Sequence, residues 1–569
     1  MKKKILFASA VFATIFSLWA EVKLPKLFSD NMILQQNSKN AVWGWAAPGE
    51  KIVVKASWGA ETAGVADKIG KWKVFLETPK YGTGYTLKVN GQHNSIDIKN
   101  VAIGEVWLCA GQSNMGWAAG QSFGSDSDEV AKANDPDFRI FRSAREHWHQ
   151  PLEIPRDRLA KWVTCTPKSA ARTSAVAFYF GSKLRKELKI PIGIIVQAYA
   201  GTPIESWMPQ ELQANDSRTQ EAIKVHEKNS ARLASKGIIN KAKAFAKYDK
   251  ALVAYNKKID AGQTMKNRVR ALKPPTITRP PSLGSQYPAH VFNAMIYPIR
   301  PYGIRGAIWY QGERNSKYAP QACHYRQQLA QLIKYYRKSW HELSAGNVDA
   351  NFPFYFTQLP SWNPAQTKPV EGIEATWAIN REMMRLVTYD VPNTGMAVSI
   401  DTGDAVALHP HCKKPIGIRH AYLALKQTYG KDFIDYGPRY RKQEIKGNKI
   451  ILEFDSVGGG LMSGKAGDLN SFAIAGKDKK WHWADAVIKG DTVVVSSKDV
   501  VAPVAVRYAW AMNPSQRNLL YNKVGIPASP FRTDNWALFN PKAELLKVNK
   551  PKKTRKYQHK DWQRPIMTQ

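Results

Sequence analysis

The chain has 569 residues, with 83 Lys and Arg against 46 Asp and Glu, and a formal charge of +37 at pH 7. That length exceeds what one hydrophobic core usually supports, so two or three domains are expected. A composition of 44% hydrophobic and 11% aromatic residues excludes a disordered chain. No segment after residue 20 is long and apolar enough to span a membrane, and no nucleic-acid-binding motif of the recognised kinds occurs. The basic balance therefore points to polyanions such as an anionic polysaccharide or a cell-surface layer.

Met1 to Lys4, the apolar run Ile5 to Trp19, and Ala20 before Glu21 have the layout of a secretory signal peptide over residues 1–20, which implies export to a periplasm or the exterior. Residues 21–100 show short alternating runs, such as Ala41 to Trp45 and Lys51 to Ala56, and read as an N-terminal β-domain. Val101 to Ala110 is a buried strand broken by Gly111, Gln112, Ser113 and Asn114. From about Thr173 strands and helices alternate: Phe178 to Leu188 is helical in period, while Pro191 to Gln197, Ile304 to Tyr310 and Met396 to Ile400 read as strands. This predicts an α/β domain with a parallel sheet over residues 101–430. A Lys/Ala-rich helical insert interrupts it at 210–285, with Phe245, Tyr248, Leu252, Tyr255 and Ile259 along one apolar face. Residues 431–540, with strands at Ile450 to Phe454, Asp491 to Ser496 and Val504 to Trp510, read as a C-terminal β-domain, followed by a basic tail at 541–569.

Cys109, Cys165, Cys323 and Cys412 lack CxxC or Cys/His metal spacing, and His411 with Cys412 lacks a second ligand cluster, so no metal site is expected. One disulfide would suit an oxidising compartment, with no pairing derivable from spacing.

A nucleophilic serine needs a sharp exposed turn, a base, and donors for the oxyanion. Ser113 follows a buried strand and Gly111, and Asn114 and Met115 are placed to open a helix whose amides favour negative charge. Alone, this tetrapeptide reads more readily as a plain helix cap.

Longer segments decide the reading. Leu27 to Gln36 (LFSDNMILQQ), Val42 to Gly49 (VWGWAAPG), Gly104 to Met115 (GEVWLCAGQSNM), Pro191 to Trp207 (PIGIIVQAYAGTPIESW), Gly306 to Asn315 (GAIWYQGERN) and Ile526 to Asp534 (IPASPFRTD) follow one another along the chain. In this order they resemble the sialate O-acetylesterase family of SGNH hydrolases. The resemblance implies a three-layer SGNH-hydrolase domain with a helical insert between two β-domains. It also implies a serine carboxylesterase that removes O-acetyl groups from sugars without cofactor or metal.

By the same resemblance, Ser113 is the nucleophile and its own amide lines the oxyanion hole, together with Gly201 and a side-chain amide. Gln311 is preferred for the latter over Asn315, being nearer the strand end. Glu313 would orient this loop, and Arg314 stands where such sequences usually carry a small residue. His409 is the expected base. Val406 and Ala407 occupy the positions where these enzymes usually place an orienting Asp, so Asp404, then Asp401, then a backbone carbonyl are the candidates for holding His409. The substrate expected first is an O-acetylated sialic acid, for which the basic charge suits an anionic sugar. Two other readings compete: deacetylation of acetylated plant or algal polysaccharide, and a carbohydrate-binding protein that has lost catalysis, which only the missing Asp favours.

Overall fold

The computed structural model describes residues 21–539 except 122–124, 144, 155–159, 465–467, 515–517 and most of 237–280. The expected signal peptide, the five apolar residues of the insert from Phe245 to Ile259, and the basic tail lie outside the described residues. Among the described residues no helix is long and apolar enough to cross a membrane.

The N-terminal strands are β1 (Ile33–Gln35), β2 (Ser38–Trp45), β3 (Lys51–Ala56), β4 (Glu61–Val65), β5 (Lys71–Thr78), β6 (Gly82–Asn90) and β7 (Ser95–Gly111). β5 buries every second side chain, as a strand with one face on a core does. β7 behaves differently along its length. Its first half pairs antiparallel with β6, whereas from Glu105 onward it pairs in parallel and every residue is buried. One strand thus runs from the N-terminal β region into the middle of the central sheet. The boundary expected at residue 100 falls inside it.

The central sheet adds β8 (Asp135–Arg142), β9 (Lys161–Cys165), β10 (Ile192–Ala198), β11 (Gly306–Tyr310), β12 (Phe354–Thr357) and β13 (Thr394–Ala397), in the order β13-β12-β11-β7-β10-β8-β9. All neighbours pair in parallel except β9, which is antiparallel to β8. Such strands are apolar on both faces because both are covered. Trp107, Cys109, Ile308, Tyr310 and Tyr355 join one core with helices Ala175–Leu188 and Lys414–Leu423. Leu108, Ala110, Trp309, Phe354 and Phe356 join the other with helices Ala319–Leu343 and Thr376–Asp390.

The helices follow from local chemistry. Ser174 Oγ accepts the Ala177 N–H to start Ala175–Leu188, and Lys189, at φ 58°, ends it. The long helix buries Ala322, Tyr325, Leu329, Leu332, Ile333, Tyr336 and Trp340, a stripe at spacings of three and four. β7 has β10 on one side and β11 on the other, so the loops after these three strands meet at the carboxyl edge of the sheet, where open α/β sheets place their sites.

Beyond residue 430 every strand pairing is antiparallel, with one sheet holding Lys449–Asp455 and Thr492–Ser496 and another Phe472–Ala475 and Ala505–Tyr508. Buried Arg381 ties this region to the central domain. Its guanidinium donates to the carbonyls of Leu359 (2.8 Å), Pro360 (2.6 Å), Ala511 (2.6 Å) and Met512 (2.9 Å). No disulfide joins Cys109, Cys165, Cys323 or Cys412 to another of the four.

Removing Arg381 would strand the buried carbonyls of Leu359, Pro360 and Ala511, while that of Met512 keeps the Trp362 N–H (3.2 Å). Arg381→Leu is expected to lower the thermal unfolding midpoint by on the order of 5 °C. A midpoint equal to that of the wild type would show that the tie carries no weight.

Candidate active site

β7 ends at Gly111, whose φ of +147° suits glycine, and a Cβ there would lie 2.2 Å from the carbonyl oxygen of Tyr310 on β11. The absent side chain lets Gln112 N donate to Tyr310 O at 3.0 Å, and Gly116 N closes a turn on Gln112 O at 2.9 Å. Half-buried Ser113 sits in that turn. The helix expected to open at Asn114 does not form: residues 113–115 are turn, because the chain folds back toward Trp117 and Ala118, whose backbone contacts Ser174 and Ala175.

The loop after β10 lies alongside. Tyr199 N donates to Gly111 O (3.0 Å), and Thr202 Oγ1 donates to Tyr199 O (2.7 Å) around Gly201. Gly201 has φ +74° and open space at its Cβ position. Its glycine is therefore required by the left-handed backbone and not by close packing.

The third loop turns both candidate amides inward. Gln311 is fully buried, and its Nε2 faces Gln112 Oε1 (3.2 Å), Thr202 O (3.1 Å) and Asn315 Oδ1 (2.8 Å), while its Oε1 accepts from Tyr325 OH (2.8 Å). Asn315 is equally buried, with Nδ2 donating to Glu205 Oε2 (2.8 Å) and Oδ1 accepting from Ile204 N (2.8 Å). The two N–H donors of Gln311 are taken up by these acceptors, whereas among the described residues Asn315 commits only one of its two, to Glu205. Gly312, at φ +149°, folds the loop inward, so both side chains become struts beneath the loops that carry Ser113 and Gly201.

The base loop engages both candidate carboxylates elsewhere. Asp404 Oδ1 accepts the amides of Val406 (2.8 Å) and Ala407 (2.7 Å), capping its own turn. Asp401 forms a bidentate buried pair with Arg419, both contacts 2.7 Å, and accepts from Tyr521 OH (3.2 Å). Neither carboxylate bonds to His409, and among the described residues no hydrogen bond reaches either of its ring nitrogens, the carbonyl alternative included. The ring instead stacks on Trp117, with centroids 5.8 Å apart at 25°. Burial first, and then the charge of Lys413, holds the imidazole below its usual pKa.

Lys413 and Asn114 received no site role from sequence. Lys413 is fully buried and its Nζ donates to Asn114 Oδ1 at 2.6 Å. Asn114 Nδ2 donates to Glu313 Oε1 (2.5 Å) and to Leu408 O (3.3 Å). The neighbour of Ser113 is thereby clamped to the neighbour of His409. Burial drives the Lys413 ammonium down to about 7, opposed by Glu313, and raises the Glu313 carboxyl. Lys413 lies four residues after His409 at the start of a helix, a spacing that could have flagged it. No hydrogen bond joins Ser113 Oγ to His409, a contact that unliganded active sites often leave to close with substrate. Among the described residues no group of three or more His, Cys, Asp or Glu gathers to hold a metal.

Residues 103–242 match the family model described as carbohydrate esterase, sialic acid-specific acetylesterase. The sialate O-acetylesterase of Mus musculus is 26% identical over 539 residues, covering 89% of this chain and 93% of its own. That of Homo sapiens is 25% identical over 549 residues, covering 90% and 94%. The crystal structure of a carbohydrate acetylesterase from Xanthomonas citri matches with a TM-score of 0.73 and 31% identity, across 91% of this chain and 100% of its own. The chain belongs to the sialate O-acetylesterase family.

As a member of that family it is a carboxylic ester hydrolase acting on O-acetylated carbohydrate, which sets aside the non-catalytic reading. The buried Lys413 supplies a specific check on this esterase. A nearby cation disfavours the imidazolium, so Lys413→Met should let His409 take its proton at higher pH and move the acid limb of the kcat/KM profile upward. An unmoved limb would show that the charge does not reach the ring.

Proposed function

We propose that this family member is an exported serine esterase that removes O-acetyl groups from sialic acid through a Ser113–His409 dyad. Ser113 Oγ attacks the acetyl carbonyl as its proton passes to His409. The oxyanion rests on the Ser113 and Gly201 amides, and His409 protonates the departing sugar hydroxyl. A water, deprotonated by His409, then cleaves the acetyl-serine and releases acetate. The layout is that of an SGNH hydrolase, with the catalytic domain at 101–430, β-domains at 21–100 and 431–540, and a signal peptide at 1–20 giving a periplasmic or secreted protein.

The observation that carries this reading is the convergence of the loops after β7, β10 and β11, locked by Gln311, with the His409 loop, which Asn114 ties to the Ser113 turn. A His409 held below its usual pKa supports it, since a general base must be unprotonated at working pH. The sialic acid assignment rests on the names of the mouse and human relatives. The more similar Xanthomonas citri enzyme is named for carbohydrate with no sugar specified, which leaves acetylated polysaccharide as a second reading.

Acetate release from O-acetylated N-acetylneuraminic acid and from acetylated xylan tests both. Folded Ser113→Ala should lose on the order of 10⁴-fold or more in kcat, and His409→Ala comparably. The preferred substrate names the sugar class. A Ser113→Ala variant with wild-type activity would end the proposal.

A further inference from the structure

Beside the Gly201 loop stands a guanidinium without a paired carboxylate. Arg314 lies half-buried on the short turn Glu313–Asn315 that follows β11. Its Nη2 donates to Gln286 Oε1, and Gln286 Nε2 lies 3.9 Å from the point where a Cβ on Gly201 would stand. The Arg314–Gln286 pair therefore borders the space that Gly201 leaves open.

Among the described residues no carboxylate forms an ion pair with this guanidinium, on which Tyr318 and Glu205 act. Glu205, a carboxylate near enough to act on it, is held by Asn315 Nδ2 (2.8 Å) and Gln328 Nε2 (2.9 Å), and no ion pair joins it to Arg314 among the described residues. On the other side is His226 of helix Ser217–Ser235, whose pKa is lowered by burial and then by the Arg314 charge. Glu227, which acts on His226, accepts from Tyr287 OH at 3.2 Å. Burial also holds the guanidinium below the usual arginine range. A partly desolvated guanidinium with N–H donors to spare is suited to a planar anion, which it can grip with two parallel hydrogen bonds.

We infer that Arg314 and Gln286 form an anion subsite beside the acetyl-transfer centre, binding a carboxylate or sulfate carried by the acetylated sugar. This rests on the assignment of Ser113 and Gly201 to catalysis. It assigns a role to the one residue of the GAIWYQGERN segment that departs from the family pattern.

The test compares kcat/KM within two pairs of substrates. The carboxylate pair is O-acetylated N-acetylneuraminic acid and its methyl ester; the sulfate pair is O-acetylated glucosamine 6-sulfate and the unsulfated sugar. Wild type should favour the anion by about tenfold or more in at least one pair, which identifies the anion. Arg314→Gln should bring that ratio toward one, and Arg314→Lys should keep part of it. Equal rates within both pairs for the wild type, or an Arg314→Gln ratio as large as that of the wild type, would overturn the subsite while leaving the esterase assignment intact. Failure of the wild type on all four sugars and on 4-nitrophenyl acetate would overturn both.

Discussion

Two buried side-chain amides hold the loops on which the chemistry depends. Gln311 reaches from the end of β11 to Gln112, beside Ser113, and to Thr202, beside Gly201. Asn114 reaches from the nucleophile turn to Leu408, beside His409. A buried amide left without partners costs about 1–3 kcal/mol, so each loop is stable only where it completes the set. That condition fixes how the loops sit against one another beyond the strand ends.

The charges around the base loop act in the same direction. Asn114 lies between Lys413 and Glu313, offering its oxygen to Lys413 Nζ and its nitrogen to Glu313 Oε1. Burial first, and then the charge of Lys413, disfavours the imidazolium, whereas a triad carboxylate would stabilise it. Asp401, locked to Arg419, anchors the start of this loop to helix Lys414–Leu423, and Lys413 anchors its end to Asn114. Both ends of the segment bearing His409 are therefore fixed without a carboxylate touching the ring.

Much of this architecture is legible in the sequence, because patterns of burial are local. The largely apolar runs at 101–110, 191–197 and 304–310 became the three strands that carry the loops, and the period at 178–188 became the helix Ala175–Leu188. Positions of the loop residues were equally legible, since a break after a buried strand places Ser113, Gly201 and His409 at one edge. The directions of polar side chains were not. Gln311 and Asn315 turn inward because Gly312 reverses the loop, and Asp404 bonds to amides two and three residues ahead of it; neither fact is written in spacing. Nor was the crossing of residue 100 by β7, where composition changes although the hydrogen-bonded strand does not. Lys413 was hidden for another reason: a lysine in a chain with 83 Lys and Arg reads as surface until its burial is seen.

The central claim is that His409 works without an orienting carboxylate, and Asp404→Asn tests it most directly. The Asn Oδ1 can still accept the amides of Val406 and Ala407, so the loop is preserved while the charge is removed. The account predicts kcat/KM on an acetylated sugar within about fivefold of wild type, because only a turn cap is altered. A loss on the order of 10⁴-fold, as follows when a triad Asp is neutralised, would contradict it and place Asp404 on the histidine.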